Sequence, residues 1–257
     1  MIKATIKKID ATLFGGNLHR LHVNRSYKKY LRSLNAGLGH RMIVHYRKSE
    51  LNVLSELCDK YGSDKGEIKK TGHPYAWPSH TYADYYSLLF WHCRKDVKRV
   101  FECGLGTNNP DRGSSMGVGG KPGASLRVWR DYFPNAQVVG ADVDTDILFE
   151  EERIQTFYVD QTSPAAIAEL WSKVEPGGFD LMVDDGLHTF EAGVCLFENS
   201  ISRLAENGIY IIEDVTFADM LGFVRFFDKL EYQVEFVALA RPELQTFDNN
   251  LVVIKRG

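Results

Sequence analysis

The sequence predicts an α/β fold with a doubly wound, seven-stranded and mostly parallel sheet, preceded by a helical N-terminal extension. Two observations support this fold class. From residue 99 onward, short apolar segments typical of strands alternate with segments of helical periodicity. The first strand, residues 99–104, ends in a glycine turn, as does the first unit of such sheets. Ligands of this fold bind beyond the carboxyl ends of the strands.

The elements can be placed in order along the chain. The strands are predicted at residues 99–104, 137–143, 154–159, 179–183, 209–212, 233–239 and 251–255. The helices within the sheet region are predicted at 124–132, 147–152, 163–174, 189–205 and 217–230. Two helices are predicted ahead of the sheet, at 49–61 with Ser49 as the N-cap and at 81–94. A glycine-rich insertion, residues 107–122, follows the first strand.

The N-terminal region differs in charge from the rest of the chain. Residues 1–50 hold 11 Lys and Arg against Asp10 and Glu50, a net charge of +9. The remaining residues hold 20 against 32, a net of −12, so the whole chain carries −3. We divide the chain into a basic, mostly helical extension (residues 1–60) and one α/β domain (residues 61–257). An oligomerisation arm or a lid docked on the acidic body is favoured over an arm that contacts nucleic acid, membrane or a phosphorylated substrate.

The composition is typical of a cytoplasmic globular protein. Hydrophobic residues make up 44% of the chain, which is enough for a full core. No apolar run is long enough to span a bilayer, and lysines interrupt residues 1–14, so no signal peptide is expected. The four cysteines are predicted to be reduced core thiols, because Cys58, Cys93, Cys103 and Cys195 form no C-x-x-C pair.

The glycine turn after the first strand is the first candidate ligand site. Glu102–Gly106 lacks the third glycine of a G-x-G-x-x-G dinucleotide fingerprint. Gly120-Lys121 is followed by Pro122, so the pattern of a phosphate loop fails as well. An acidic residue just ahead of G-x-G suits a ligand with a positive centre and no phosphate, namely S-adenosylmethionine.

Each of the first five predicted strands ends in an acidic residue. In a parallel sheet these ends meet at one edge, where such a cluster is costly unless cations or hydrogen-bond donors satisfy it. An aspartate at a strand end often caps the next turn, which explains one or two of these residues but not five in succession. The residues are Glu102, Asp142, Asp160, Asp184 with Asp185, and Glu213 with Asp214.

The first three of these positions suit the parts of an adenosine cofactor. Asp142 follows the second strand, where a carboxylate can accept hydrogen bonds from both ribose hydroxyls. Asp160 is placed to bond the adenine amino group, and Glu102 lies near the amino-acid end and the sulfonium.

The last two acidic strand ends predict a metal site. Asp185, Glu213 and Asp214 supply hard oxygen ligands, which suit Mg²⁺, Ca²⁺ or Mn²⁺ and leave positions open for substrate oxygens. Zinc is disfavoured, since only His188 would supply nitrogen. His188, three residues after Asp185, is predicted to be a general base, with a structural role as the alternative.

The loop ahead of the helix at 81–94 is unusually rich in polar and aromatic side chains for a simple connector. We therefore expect part of it to line the active site. These residues are Asp64, Lys65, His73, Tyr75, Trp77, His80 and Tyr82.

Together these motifs resemble the class I S-adenosylmethionine-dependent methyltransferases, whose fold is Rossmann-like. More narrowly, the chain is similar to the metal-dependent O-methyltransferases of macrolide sugars, the mycinamicin type. The D-D-G-x-H and E-D motifs are specific to that group, whereas the glycine turn is generic. The matching segments are Gly62–Lys65, His80–Tyr82, Glu102–Gly106, Ser125–Trp129, Tyr132–Asn135, Gly140–Asp142, Asp160–Gln161, Asp184–His188 and Ile212–Asp214.

The resemblance implies Mg²⁺ on Asp185, Glu213 and Asp214, with His188 and Asp185 as catalytic residues. Residues 1–48 and the insertion at 107–122 depart from the group's pattern and leave the acceptor open. The cofactor residues that it implies are Asp64, Lys65, Tyr82, Glu102, Gly104, Gly106, Ser125, Asp142, Asp160, Gln161 and Asp184.

The expected activity is O-methylation of a small hydroxylated acceptor. The favoured acceptor is a sugar, free or nucleotide-linked, in a surface-polysaccharide or natural-product pathway. The alternatives are a phosphorylated or phosphoramidate molecule of capsule biosynthesis, which Lys65, Lys121 and Arg127 would suit, or a non-catalytic S-adenosylmethionine-binding scaffold. Nucleic-acid methylation is disfavoured, because only the basic arm supports it and the N-P-P-Y motif is absent. The arm is compatible with a homo-oligomer.

Overall fold

The structure is a computed structural model of the chain. It describes residues 52–66, 77–239 and 248–256, together with Tyr75 and the four basic residues Arg25, Lys28, Lys29 and Arg32. Most of the predicted arm, including the cap at Ser49, and the loop residue His73 lie outside the described residues. Of the helices within these ranges, none has the length and apolar character needed to cross a bilayer.

The described residues form six helices, eight strands and two short 3₁₀ turns. The helices are α1 (Val53–Tyr61), α2 (Tyr82–Phe90), α3 (Ala124–Tyr132), α4 (Pro164–Lys173), α5 (Phe190–Ser200) and α6 (Phe217–Phe227). The strands are β1 (Arg99–Cys103), β2 (Gln137–Asp142), β3 (Glu150–Glu151), β4 (Ile154–Tyr158), β5 (Phe179–Asp184), β6 (Leu204–Ile212), β7 (Tyr232–Ala238) and β8 (Asn250–Arg256). The 3₁₀ turns are Thr145–Ile147 and Ile201–Arg203.

All eight strands join one sheet in the order β3-β4-β2-β1-β5-β6-β8-β7. The five central strands pair in parallel, whereas β3 and β8 run antiparallel to their neighbours. This confirms the predicted doubly wound, mostly parallel sheet. The strand order reverses at β1, which lies between β2 and β5. A ligand cleft is expected at such a switch point.

Several predicted elements are wrong in detail, among them the helices at 81–94 and 217–230, which end at Phe90 and Phe227. The helix expected at 147–152 is replaced by a 3₁₀ turn and the short strand β3. The Thr156 side chain explains this, because its hydroxyl lies 2.6 Å from both the amide nitrogen and the carbonyl oxygen of Phe149 and folds that segment back against β4. The helix expected to reach residue 205 ends at Ser200, and β6 begins at Leu204 rather than at residue 209.

Both faces of the sheet are covered by apolar clusters. Val100 of β1 belongs to the cluster beneath α1, α2 and α3, and the next residue, Phe101, belongs to the cluster beneath α4, α5 and α6. Such alternation buries a strand on both faces, as in parallel sheets generally. The carboxyl edge of the sheet is left as the place where polar side chains can meet.

Helix α1 begins later than the sequence suggested. Its N-cap is Asn52, whose side-chain oxygen accepts the amide hydrogen of Ser55 at 2.9 Å. The same side chain donates to Asp84 Oδ1 of α2 at 2.8 Å. The helix ends at Gly62, which has a left-handed backbone with φ of 80°. The cap therefore also ties α1 to α2, which carries part of the site.

Candidate active site

The carboxyl ends of the parallel strands open into a cavity of about 780 Å³. A volume of this size is typical of small-molecule sites. The glycine turn, the loop ahead of α2, the insertion after β1 and the acidic strand ends all contribute to its wall. The aspartates that line it are Asp64, Asp142, Asp160, Asp185, Asp214 and Asp248.

The turn after β1 requires glycine at two positions. Gly104 has a φ of 98°, and a Cβ atom there would lie 1.9 Å from the carbonyl oxygen of Asp185. Gly106 has a φ of 77°, and a Cβ atom there would lie 2.4 Å from the sulfur of Met116. Both glycines line the cavity. The main chain of β1 can therefore approach the β5 loop closely at the floor of the cavity.

Backbone amides hold the acidic residues that follow β2 and β4. Asp142 accepts the amide hydrogens of Leu105 and Asp144, at 2.7 and 2.8 Å. Burial raises the pKa of Asp142, whereas these amide donors lower it. Asp160 accepts the amide and hydroxyl hydrogens of Thr162, at 2.9 and 2.6 Å. Both carboxylates line the cavity, at the side where the sequence places the ribose and the adenine.

Gln161 connects β4 to the D-D-G-L-H loop. Its side-chain amide donates to Asp184 Oδ1 at 3.0 Å and accepts the amide hydrogen of Leu187 at 2.7 Å. A Cβ atom at Gly186 would lie 1.8 Å from the Gln161 oxygen. Gln161 lines the cavity, whereas Asp184 is buried behind it, and burial raises the pKa of Asp184 to about 6.

A buried lysine lies at the base of the acidic cluster. Lys65 is 2% exposed, and its Nζ atom lies 2.5 Å from Asp185 Oδ2 and 3.2 Å from Glu102 Oε1. It also bonds Glu213. Burial lowers the pKa of Lys65, but the carboxylates of Asp185, Glu102 and Glu213 outweigh it and raise that pKa well above its usual value. Lys65 is therefore a fixed internal cation.

Several predicted cofactor residues lie beneath the cavity wall rather than in it. Glu102 is fully buried and accepts the indole hydrogen of Trp129. Burial raises the pKa of the Glu102 carboxyl, whereas Ser125, also buried, lowers it. The predicted cofactor residues that do not line the cavity are Lys65, Tyr82, Glu102, Ser125 and Asp184.

Helix α2 supplies hydroxyl groups to the two acidic residues that follow β6. Tyr86 donates to Glu213 Oε1 at 2.6 Å, and the Tyr82 hydroxyl lies 2.8 Å from Asp214 Oδ1. Burial raises the pKa of both tyrosines well above the usual value, so both hydroxyls keep their hydrogen. Glu213 therefore has one oxygen bonded to Tyr86 and the other bonded to Lys65.

Asp185, His188 and Asp214 come together at the cavity wall. Their ligand atoms all lie within 4.8 Å of one another, the one such group of three in the described part of the chain. His188 Nε2 lies 3.7 Å from Asp214 Oδ2 and 4.0 Å from Asp185 Oδ1. His188 and Asp214 have positive φ angles of 55° and 54°, which are uncommon for residues other than glycine and concentrate at functional sites.

These side chains suit a divalent cation. Asp185 and Asp214 offer carboxylate oxygens at the open side of the group, which are the ligands that Mg²⁺ and Mn²⁺ prefer. Glu213, the third predicted ligand, is 1% exposed and lies beside Asp214 behind the cavity wall. Each of its oxygens has two lone pairs, so the bonds to Lys65 and Tyr86 leave room for a further ligand bond.

The fold is shared with a solved methyltransferase. MycE from the mycinamycin biosynthetic pathway, solved in complex with Mg and SAH, matches with a TM-score of 0.57 and 20% identity. The match covers 81% of this chain and 56% of that chain. The chain has a Rossmann-like methyltransferase fold. The predicted fold class is therefore confirmed, with one additional edge strand.

Curated O-methyltransferases resemble the chain in sequence. The chain is 31% identical to 8-demethyl-8-alpha-L-rhamnosyl tetracenomycin-C 2'-O-methyltransferase of Streptomyces olivaceus. The 163 aligned residues cover 63% of this chain and 37% of that protein. The chain is also 31% identical over 172 residues to demethylmacrocin O-methyltransferase of Streptomyces fradiae, 66% of this chain and 38% of that protein. It is 29% identical over 167 residues to mycinamicin VI 2''-O-methyltransferase of Micromonospora griseorubida, 63% of this chain and 39% of that protein.

These matches confirm the resemblance to macrolide-sugar O-methyltransferases that the motifs predicted. The chain spans less than half the length of the curated relatives that it matches. No protein-family model matches the chain.

The loop ahead of α2 lines the cavity, as expected, through Asp64, Trp77 and His80. His80 is 5% exposed, and its Nε2 atom lies 3.6 Å from Asp214 Oδ1 and 3.4 Å from Asp248 Oδ1, a pairing that the sequence did not predict. Burial lowers the pKa of His80, but Asp214, Asp248 and Asp64 outweigh it and raise that pKa to about 10. His80 is therefore an imidazolium ion at neutral pH.

The insertion after the glycine turn forms one wall of the cavity through residues 112–116. It is braced internally, because the amide of Met116 and the hydroxyl of Ser115 both donate to the carbonyl of Thr107, at 2.9 and 3.1 Å. The Asn108 side chain donates to the carbonyl oxygens of Gly117 and Gly120. The segment that departs from the group's sequence pattern therefore helps to shape the cavity.

Proposed function

We propose that the chain carries the catalytic unit of an S-adenosylmethionine-dependent, Mg²⁺-dependent O-methyltransferase that acts on a sugar hydroxyl of a natural product. The observation that carries this proposal is the group Asp185, His188 and Asp214, which opens into the same cavity as the Gly104–Gly106 turn. A proton acceptor and a divalent-cation site thus lie next to a cofactor turn. The names of the curated relatives support the acceptor class.

S-adenosylmethionine is proposed to bind along the β1, β2 and β4 ends of the cavity. SAH and Mg are present in the matching MycE structure. The residues that would contact the cofactor directly are Asp64, Gly104, Gly106, Asp142, Asp160 and Gln161, all of which line the cavity. We assign Lys65, Glu102, Ser125 and Asp184 to the layer that supports them, whereas Tyr82 contacts Asp214 of the proposed metal site.

Asp185, Glu213 and Asp214 are proposed to hold Mg²⁺, which when bound would orient the acceptor oxygen and lower its pKa. His188 then accepts the acceptor proton at Nε2. This general-base step is worth about 10²–10⁴ in rate. Alignment of the acceptor oxygen with the methyl donor in the cavity would supply much of the remaining acceleration.

The charge of the cavity argues against a phosphorylated acceptor. Among the described residues its wall carries six aspartates, whereas its cationic groups are Arg112 and the imidazolium of His80. Like charges brought together in a binding site cost several kcal/mol in general. Lys65 is paired below the wall, and Arg127 bonds Glu151, so neither is placed to bind an anion. The curated relatives give no support to the capsule alternative either.

Calorimetric titration tests the cofactor assignment. S-adenosylhomocysteine should bind the purified chain with micromolar affinity in Mg²⁺, and NAD should give no heat. If S-adenosylhomocysteine fails to bind both in Mg²⁺ and in EDTA, the methyltransferase proposal is wrong.

The His188→Ala variant tests the base. It should lower turnover of a sugar acceptor by about 10²–10⁴ and leave the affinity for S-adenosylhomocysteine intact. His92→Ala is the matched control, because His92 is exposed and does not line the cavity. Loss of cofactor binding in His188→Ala would instead assign His188 a structural role.

A further inference from the structure

Helix α2 carries three buried tyrosines, of which Tyr82 and Tyr86 lie one helical turn apart. Residues four positions apart share one face of a helix, so Tyr82 and Tyr86 point in the same direction. Tyr86 donates to Glu213 Oε1 at 2.6 Å, and the Tyr82 hydroxyl lies 2.8 Å from Asp214 Oδ1. Two hydroxyls on one face of the helix thus meet the two consecutive acidic residues that follow β6. Neither tyrosine lines the cavity.

Tyr82 contacts both the side chain and the main chain of Asp214. The amide of Asp214 donates to the Tyr82 hydroxyl at 3.2 Å. The hydroxyl shares its own hydrogen between Asp214 Oδ1 and the carbonyl oxygen of Asp248, each at 2.8 Å. Asp214 has a φ of 54°, a left-handed conformation that residues with a side chain adopt infrequently. These contacts therefore stabilise a conformation that the chain does not otherwise favour.

Both tyrosine rings are fixed by packing. The ring of Tyr82 stacks on His80 with centroids 4.7 Å apart, and the ring of Tyr86 packs edge-on against Trp129 at 5.0 Å. Tyr82 is 1% exposed and Tyr86 is fully buried. Their hydroxyls therefore have little freedom to follow the carboxylates, and it is the carboxylates that are held in place.

We infer that Tyr82 and Tyr86 are positioning residues for the divalent-cation site. They fix the orientations of Asp214 and Glu213 before a cation binds, and they need not touch the cation, the cofactor or the acceptor. This inference rests on the proposed function, since it assigns a task to residues around the proposed metal ligands. Partners of this kind, which orient ligands without binding the metal, generally contribute about 10–100-fold to metal affinity.

The test measures Mn²⁺ binding by electron paramagnetic resonance on the full chain and on Tyr86→Phe and Tyr82→Phe, which keep the ring and lose only the hydroxyl. We expect the Mn²⁺ dissociation constant to rise about 10–100-fold in each variant. The affinity for S-adenosylhomocysteine, measured by calorimetry without metal, should stay unchanged. Tyr85→Phe is the matched control, because the Tyr85 hydroxyl bonds Glu235 at 2.8 Å instead and Mn²⁺ affinity should not change.

Unchanged Mn²⁺ affinity in both variants would overturn the inference. A loss of S-adenosylhomocysteine affinity as large as the loss of Mn²⁺ affinity would also overturn it, because it would indicate general damage to the cavity. If Tyr82→Phe does not fold, Tyr86→Phe decides alone. A wild-type chain that binds S-adenosylhomocysteine but no Mn²⁺ overturns this inference while the cofactor assignment stands. A chain that binds Mn²⁺ but no S-adenosylhomocysteine contradicts the proposed function, and the tyrosine variants still decide the inference.

Discussion

The two sides of the cavity hold their carboxylates by different kinds of donor. On the β2 and β4 side, Asp142 and Asp160 accept hydrogens from backbone amides and from one neighbouring hydroxyl. On the β5 and β6 side, Asp185 and Glu213 are bonded by the ammonium of Lys65. Tyrosine hydroxyls of α2 complete that second set. Lys65 and both tyrosines precede the sheet in the sequence.

The difference shows how each side of the cavity comes into being. Backbone amides of a turn are present whatever side chains surround them, so the β2 and β4 side follows from the strand-turn geometry. The β5 and β6 side brings Glu102, Asp185 and Glu213 together around one buried position. Such a cluster is tolerable only with a paired cation, which arrives when the segment with Lys65 docks on the sheet.

The largest expected effect comes from Gly104→Ala, because this residue lies at the floor of the cavity and its substitution would distort both sides of the cavity. A Cβ atom there would lie 1.9 Å from the Asp185 carbonyl oxygen, and φ is 98°. We expect a loss of at least about 4 kcal/mol in the free energy of unfolding, measured by urea denaturation. Gly117→Ala is the control, because Gly117 has a φ of 71° but no atom within 4 Å of the new Cβ, so only about 1–2 kcal/mol should be lost. Equal losses in the two variants would contradict the proposed clash.

Lys65→Met should affect the β5 and β6 side alone. Removing one partner from a buried ionic cluster generally costs about 3–5 kcal/mol, because the remaining charges stay buried and unpaired. The free energy of unfolding in EDTA at pH 7 measures this loss. Lys60→Met is the control, because Lys60 is exposed and pairs with Asp131 at the surface, so its loss should leave stability nearly unchanged. A neutral effect of Lys65→Met would contradict the ionic pairing of Lys65 with these carboxylates.

Asp142→Asn should affect only the cofactor side. The amide keeps the size of the carboxylate but loses its charge, and hydrogen bonds to charged groups contribute about 1.5–3 kcal/mol. We therefore expect the affinity for S-adenosylhomocysteine to fall about 10–100-fold in calorimetry. Mn²⁺ affinity should stay at the wild-type value, since Asp142 is outside the Asp185, His188 and Asp214 group. Parallel losses of both affinities would mean that the two sides are not separable.

The smallest expected effect is that of Asp131→Asn on stability. It tests whether a carboxylate held by side-chain donors contributes strongly to stability only where it is buried. Asp131 is also held by side chains, namely Tyr61 at 2.5 Å, Lys60 at 3.1 Å and Arg130 at 3.0 Å, but near the surface. Burial raises the pKa of Asp131, but these donors outweigh burial and lower that pKa to about 2. Because solvent screens this site, Asp131→Asn should cost about 1 kcal/mol or less.

The pH dependence of that cost has a defined sign. The pKa of Asp131 is lower in the folded state than its usual value of 3.8, so its contribution is complete above about pH 4 and is lost as the pH falls towards 2. The difference in unfolding free energy between wild type and Asp131→Asn should shrink over that range. A difference that stays constant down to pH 2 would contradict the assignment.

Much of the fold could be read from local sequence patterns. Helix α3 has the predicted bounds, and Ser163 caps α4 as expected. Such patterns report which face of a segment is buried and where it ends. The failed prediction at 147–152 depended on the Thr156 side chain, which lies in the next strand. That contact is not visible in the periodicity of the segment itself.

The part of the site formed by the strand ends was predictable, because the carboxyl ends of parallel strands meet at one edge of the sheet. The acidic ends were placed at one edge by topology alone, and Asp185, His188 and Asp214 do meet there. Asp248 gave no sequence signal, because it lies just ahead of β8 and approaches Asp214 only through β8 pairing beside β6. His80 was expected in the cavity wall, but its pairing with both aspartates was not.

The sequence by itself determined the order of strands and helices, the glycine turn and the acidic strand ends, because these depend on neighbouring residues and on the rules of parallel sheets. Only the tertiary structure decided which side chains hold the acidic residues. Lys65 meets Asp185 across 120 residues and Glu213 across 148, and no periodicity relates such positions. Lys65 lies between α1 and α2, so it reaches these carboxylates only when both helices pack on the sheet. That packing is driven by the burial of whole apolar faces, and the sequence pattern of a helix therefore does not identify the partner of an individual side chain.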